Sequence, residues 1–136
     1  MTESTSGHSA IEELYEQLGD CVETSFGQRE DYSYDGLKIS SLPDAVIQVK
    51  EAAQVGTVLK IANQYGVALT TRGAGSSLTG GATPIQGGWV LDLSQLNHFE
   101  IDEENQLARC GPGVVVADLQ AAAAEQDLFY PPDPSS

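Results

Sequence analysis

The stretch TTRGAGSSLTGGATP, Thr70 to Pro84, gathers residue types that can grip an anion. Gly73, Gly75, Gly80 and Gly81 tolerate positive φ, so successive backbone N–H groups can turn into one concavity. Such nests bind phosphate and pyrophosphate. Ser76, Ser77 and Thr79 would add hydroxyl donors, and Arg72 is one of only six Lys and Arg residues in the chain. The same composition also suits a flexible linker or a tight turn, and an isolated glycine motif is a weak signal. On the residues alone both readings stay open.

Two standard phosphate motifs fail here. No GK[ST] ending follows, so this is not a Walker loop. In GAGSSL, Leu78 stands where a dinucleotide fingerprint needs its third glycine, and a strand rather than a helix comes next. The loop therefore has to work without a helix N-terminus, which points away from nucleoside triphosphatases and nicotinamide domains.

Other chemistry-bearing residues read more plainly. Asp92 in VLDLS lies about 20 residues past the loop, but that ribose spacing belongs to Rossmann units, and a strand-end turn is the simpler role. Trp89 could stack on a base, yet a strand tryptophan is usually core. Asp102, Glu103 and Glu104 read as a solvated hairpin turn rather than a cation site. Asp35 in YSYDG reads as a turn residue. His8 and His98 have no second base or metal ligand beside them in sequence, so neither is assigned catalysis. Cys21 and Cys110 lie far apart with no CxxC, which argues against a disulfide framework or a zinc site and makes both small buried or half-buried hydrophobes.

The elements that must position the loop follow from periodicity. Residues 1–8 are small and polar and read as frayed. Ser9 with Glu12 makes a capping-box pattern for a helix whose face is Ile11, Leu14, Tyr15 and Leu18, closed by Gly19. Residues 20–42 read as irregular. AVIQV is a short strand, and Val55, Val58, Leu59, Ala62 and Tyr65 have helical spacing, with Gly66 as the stop. VALTT is the next strand, and this strand–helix–strand unit implies two parallel strands. After the glycine loop GWVLDL is a strand, HFEID and QLARCG a hairpin, VVVADLQAAAAEQD a helix with Val116, Leu119, Ala122 and Ala123 on one face, and LFY a last strand. The fold class is mixed α/β, with a short βαβ unit, a hairpin and a helix.

Length and charge bound the rest. The 136 residues make at most one ordinary domain, and 40% hydrophobic content can form a core. Twenty Asp and Glu against six Lys and Arg give a net charge of −14. Such a surface repels nucleic acid and anionic headgroups, so neither is an expected partner. The acidity suits either a solvated, soluble surface or a high-salt cytoplasm where screening removes self-repulsion. No run of about 18 apolar residues could form a transmembrane segment. MTESTSGHSA lacks the basic and apolar regions of a signal peptide, so a cytoplasmic address is expected.

From Leu42 to Ser136 an ordered series of elements carries a resemblance: the Pro43 strand, ANQYGV, TRGAGSSLTGGA, GWVLDLSQLN, ARCGPGV and FYPPDPSS. The series resembles the PCMH-type FAD-binding domain of FAD-linked oxidases, the vanillyl-alcohol oxidase superfamily. The nearest group is that of the glycolate oxidase subunit and D-lactate dehydrogenase. The resemblance implies that the loop wraps the FAD pyrophosphate through backbone amides. Carried onto this chain, the cofactor-binding positions are Arg72, Gly73, Ala74, Gly75, Ser76 and Ser77, with Leu78, Thr79 and Gly81 flanking. Pro132 and Asp133 are implied near the flavin. Some relatives attach FAD covalently through a loop histidine, and the matching residue here is Ser76, which implies non-covalent FAD.

The same resemblance divides the chain into a helix-and-loop extension, 1–41, and a FAD-binding domain, 42–136, that is C-terminally incomplete. It implies a missing second flavin-binding segment and a substrate domain that would supply the catalytic base. The whole reaction implied is oxidation of a small 2-hydroxy acid, of glycolate or D-lactate type, to the 2-oxo acid with hydride transfer to flavin N5. The alternative is a stand-alone nucleotide-binding module or inactive remnant. Oligomeric state is not legible.

Overall fold

A computed structural model describes residues 3–133, with side chains from residue 9 onward. Helix α1 (Glu3–Leu18) leads through a short 3₁₀ turn (Gly19–Cys21) into β1 (Val22–Glu23) and α2 (Phe26–Asp31). Strand β2 (Ala45–Gln48), α3 (Ala52–Tyr65), β3 (Leu69–Arg72) and β4 (Trp89–Asp92) follow, then β5 (Phe99–Asp102), β6 (Leu107–Cys110) and α4 (Val116–Ala124). The side chain of His8 and residues 134–136, which end the PPDPSS run, lie outside the described residues.

Strands β1, β2, β4 and β3 form one sheet in that spatial order, and β5 and β6 form an antiparallel hairpin. β2 and β3 both run parallel to β4. The βαβ unit is thus present, but its two strands are not neighbours: β4 inserts between them. Parallel neighbours need a long crossover. Between β2 and β3 that crossover contains α3. Between β3 and β4 it is the glycine-rich loop itself, residues 73–88, with no helix.

Period-2 alternation sends the two sides of each strand to different layers. Ala45, Ile47, Trp89 and Leu91 join Ala10 and Leu14 of α1 and Val58, Ile61 and Ala62 of α3 in the main core. Trp89, Leu14, Ile47 and Ile61 are fully buried, and each such side chain contributes about 1.5–3 kcal/mol. Val46 and Val90 point the other way and are equally buried. On that second face lie α2 and the turn after it: Arg29 Nη1 donates to Pro43 O at 3.1 Å, and Ser41 Oγ donates to Pro84 O at 2.7 Å. The first 41 residues therefore supply β1 of the sheet and cover for both its faces.

Several local expectations change. Residues 3–8 are helical rather than frayed, so Ser9 lies inside α1 and its hydroxyl faces Tyr65 Oη at 3.5 Å instead of capping. Glu13 Oε2 accepts from the Tyr65 hydroxyl at 2.8 Å, tying α1 to α3. The segment read as irregular contains β1 and α2, each too short for a periodic signal. LFY is not a strand. Asp127 adopts φ +56° and Leu128 N–H donates to Ala123 O at 2.9 Å, a left-handed helix stop that leads into extended chain with Phe129 86% exposed. Cys21 is buried as expected, but Cys110 is exposed on a hairpin strand whose four residues all face solvent.

Candidate functional site

The carboxyl ends of β2, β4 and β3 bring Gln48, Asp92 and Arg72 into one register row on the second face. Tyr32, just past α2, lies across that row. Its hydroxyl donates to Asp92 Oδ2 at 2.7 Å and accepts from Gln48 Nε2 at 3.1 Å. Burial first, then the bond to the Asp92 carboxylate, raise the Tyr32 pKa above its ordinary 10.0. Asp92 Oδ1 accepts from Ser94 N–H at 2.8 Å, which makes it the strand-end turn residue expected of it. Trp89 lies in the core, not at a ligand surface.

Beyond Arg72 the loop opens into two concavities. One is lined by Gly73, Ala74, Gly75, Ser76, Ser77, Leu78 and Thr79 with Ala82. The other is a groove of about 520 Å³, within the range of small-molecule sites. It lies between Gly73, Ala74 and Ser76 on one side and Pro112 to Ala117 on the other, with Asn97 and Asp133 also lining it. Gly75 and Gly80 take φ of +72° and +76°, the left-handed turns the loop requires. Ser77 and Thr79 share a hydroxyl–hydroxyl bond of 3.0 Å, and Ser77 Oγ accepts the Thr79 N–H at 3.3 Å.

Of the residues singled out, Gly73 through Thr79 line the first concavity, and Asp133 lines the groove, to which the loop contributes only Gly73, Ala74 and Ser76. Gly81 flanks the loop near the Ser77 and Thr79 hydroxyls. Pro132 is held by its carbonyl, which accepts from Gln120 Nε2 at 3.1 Å. Arg72 lines neither concavity. Its Nη1 donates to Tyr34 O at 2.6 Å and Ala82 O at 3.5 Å, Nη2 donates to Asp31 O at 3.5 Å, and the guanidinium stacks 5.3 Å from the Tyr32 ring centroid. His98 is exposed and faces Glu100 Oε1 at 3.4 Å. Asp102 is bonded by Asn105 at the hairpin turn, first through its side chain and then its backbone, which lowers the Asp102 pKa.

Gly111, Pro112 and Gly113 carry no individual role in the sequence reading, although ARCGPGV contains them. Gly111 and Gly113 approach the 93–98 segment so closely that an added Cβ would meet the carbonyls of Leu96 and of Leu93 and Ser94. Their N–H groups donate to His98 O at 2.9 Å and Leu96 O at 3.0 Å. That contact makes the far wall of the groove.

The site is thus a glycine-rich crossover between parallel strands that faces a groove, and the crossover itself contains no helix. The family model described as FAD binding domain matches residues 43–136. The chain belongs to this family, and its cofactor is FAD. It is 43% identical over 107 residues to the glycolate oxidase subunit GlcD of Bacillus subtilis, covering 77% of this chain and 23% of that protein. It is 35% identical over 91 residues to a D-lactate dehydrogenase of Archaeoglobus fulgidus, covering 67% and 20%. Among solved structures it resembles p-cresol methylhydroxylase with substrate bound, at TM-score 0.81 and 26% identity over 92% of this chain and 26% of that one. The 4-ethylphenol oxidase of Gulosibacter chungangensis also gives TM-score 0.81, at 27% identity over 91% and 25%. The chain thus spans about a quarter of the length of these relatives. No helix among the described residues is long and apolar enough to cross a membrane.

The residues fit the cofactor. The left-handed glycines of the loop present backbone rather than side chains, and Gly73 leaves its side of the groove open: an added Cβ would find its nearest neighbour, Pro112 O, at 3.9 Å.

Proposed function

We propose that this chain is the pyrophosphate-binding part of an FAD-dependent oxidoreductase that converts a small 2-hydroxy acid to its 2-oxo acid. The observation that carries the reading is the run Gly73 to Thr79 lining a single concavity directly beside the 112–117 wall. Backbone amides of Gly73, Ala74, Gly75, Ser76 and Ser77 would hold the pyrophosphate, with the Ser76 and Ser77 hydroxyls as further donors and Leu78, Thr79 and Gly81 shaping the rim. Asp133 is an acceptor, so it suits a ligand hydroxyl or N–H rather than a phosphate; Pro132 holds the chain beside it. Ser76 offers no covalent anchor, so binding is non-covalent. FAD, when bound, supplies the two-electron acceptor. The 2-hydroxy acid class is supported by the GlcD and D-lactate dehydrogenase relatives.

Titration of the purified chain with FAD, followed by flavin fluorescence, tests the reading, with ADP as competitor. Saturable binding is expected. Gly73→Val should weaken it by about tenfold or more, since its side chain enters the groove from an unstrained backbone. A folded parent chain indifferent to both FAD and ADP would overturn the reading.

A further inference from the structure

The second face of the sheet carries an arrangement that the loop's own composition does not explain. Arg72, the last residue of β3, turns its guanidinium behind the loop, where a Cβ added at Gly75 would strike it. The guanidinium rests on the Tyr32 ring and bonds to carbonyls on both sides of the loop: Asp31 and Tyr34 in the N-terminal segment, Ala82 at the loop's return. Tyr32 is in turn fixed to the sheet by Asp92 and Gln48. The planar fork can reach several carbonyls at once, which a lysine ammonium on its flexible stem cannot do in the same geometry.

A second contact comes from the turn at Asp35. Its Oδ1 accepts the Leu37 N–H at 2.9 Å, and Ser41 N–H donates to Ser33 O at 2.8 Å, so the turn is internally fixed. Its tip presses on the loop: a Cβ at Gly36 would sit 2.8 Å from Ser77 O and 3.2 Å from Ser76 O, and one at Gly80 would sit 3.3 Å from Leu37 Cδ2. In a trans peptide the C=O of one residue and the N–H of the next point in opposite directions. With the Ser76 and Ser77 carbonyls against Gly36, the N–H groups of Ser77 and Leu78 point away from the turn.

We infer that the N-terminal segment Asp31–Ser41 is a brace that presets the pyrophosphate loop, with Tyr32, Arg72 and Gly36 as positioning residues that do not touch the cofactor. The inference rests on the proposed flavin role of the loop. It assigns part of that role's pre-organisation to residues outside the loop: the brace holds the Ser76 and Ser77 carbonyls on the turn side and leaves the Ser77 amide turned from it toward the ligand, so less reordering accompanies binding.

The test uses the full chain with Gly36→Ala, Arg72→Lys and, as control, Gly27→Ala, where an added Cβ meets nothing within 4 Å. Two readouts are taken: the Kd for FAD and ADP, and amide hydrogen exchange without ligand. The exchange probes are Ser41 and Thr83, whose N–H groups are bonded within the turn and the loop, referenced to Val90 and Leu91 of the central strand. Both variants should raise each Kd about tenfold, the cost of losing a charge-assisted contact or of a displaced loop, while Gly27→Ala binds like the parent. They should also speed exchange at Ser41 and Thr83 without changing Val90 and Leu91, which a general loss of stability would move together. Parent-like Kd and exchange in both variants would overturn the brace while leaving the flavin reading intact. A parent chain that binds no FAD, with Ser41 and Thr83 still released by both variants, would overturn the flavin reading and support the brace.

Discussion

At the residue scale, the site depends on side chains whose roles their neighbours set. Arg72 is a cation in an anion-binding motif, yet its donors go to carbonyls and its charge lies over Tyr32. Nothing in TTRGAG distinguishes that from a phosphate contact, because Tyr34 and Asp92 are remote in sequence from the groups that use them. Tyr32 gives a pH prediction. Its folded pKa lies above the unfolded value, so its contribution is complete below pH 10 and is lost as pH rises through the folded pKa. Denaturant titrations from pH 8 to 11 should show an alkaline loss of stability that is smaller in Tyr32→Phe. An identical alkaline limb in the two proteins would show that the Tyr32 hydroxyl is not the group responsible.

At the scale of elements, the Gly66 stop of α3 is legible in the sequence, whereas the Ser9–Glu12 capping box is not borne out and the box that does start α3 goes unread. The start of α3 is set by Glu51 and Gln54 in a capping box: Gln54 Oε1 accepts the Lys50 and Glu51 N–H groups at 2.7 and 3.1 Å. Its end is set by Gly66 at φ +66°, with Val67 N–H donating to Ala62 O at 2.9 Å. An added Cβ there meets nothing, so Gly66→Ala isolates backbone strain and should destabilise by about 1 kcal/mol. A lowered melting temperature with unchanged FAD affinity is the expected result. Elements shorter than one period, β1 and α2, left no such trace. LFY failed for a different reason: apolar character makes a strand only where a ladder partner exists, and the chain there leaves a helix stop without one among the described strands.

At the scale of the whole molecule, charge and topology dominate. A net charge of −14 repels itself, and added salt shortens the range of that repulsion. The melting temperature at neutral pH should therefore rise between about 0.05 M and about 1 M NaCl. A flat or falling curve would mean that local carboxylate contacts outweigh the overall repulsion. The sheet order has a functional consequence too. Because β4 lies between β2 and β3, the chain must cross from one parallel neighbour to the other, and the glycine loop is that crossing. It is tethered at one end to the edge strand β3, through Arg72, and at the other to the central strand β4, through Trp89, rather than hanging as a surface linker.

By itself the sequence left an anion nest and a flexible turn both open for residues 73–81, but determined the local elements with strong periodicity and, through an ordered series of motifs, membership of the FAD-binding family. Those are properties of neighbouring residues and of their order along the chain. The tertiary structure decided which strands are neighbours, that Arg72 braces the loop from behind, and that residues 31–41 belong to the support of the site. Each of these depends on pairings between segments far apart in the chain. Such contacts are chosen by the burial of both sheet faces and by the need to satisfy donors and acceptors there, and no local pattern records them.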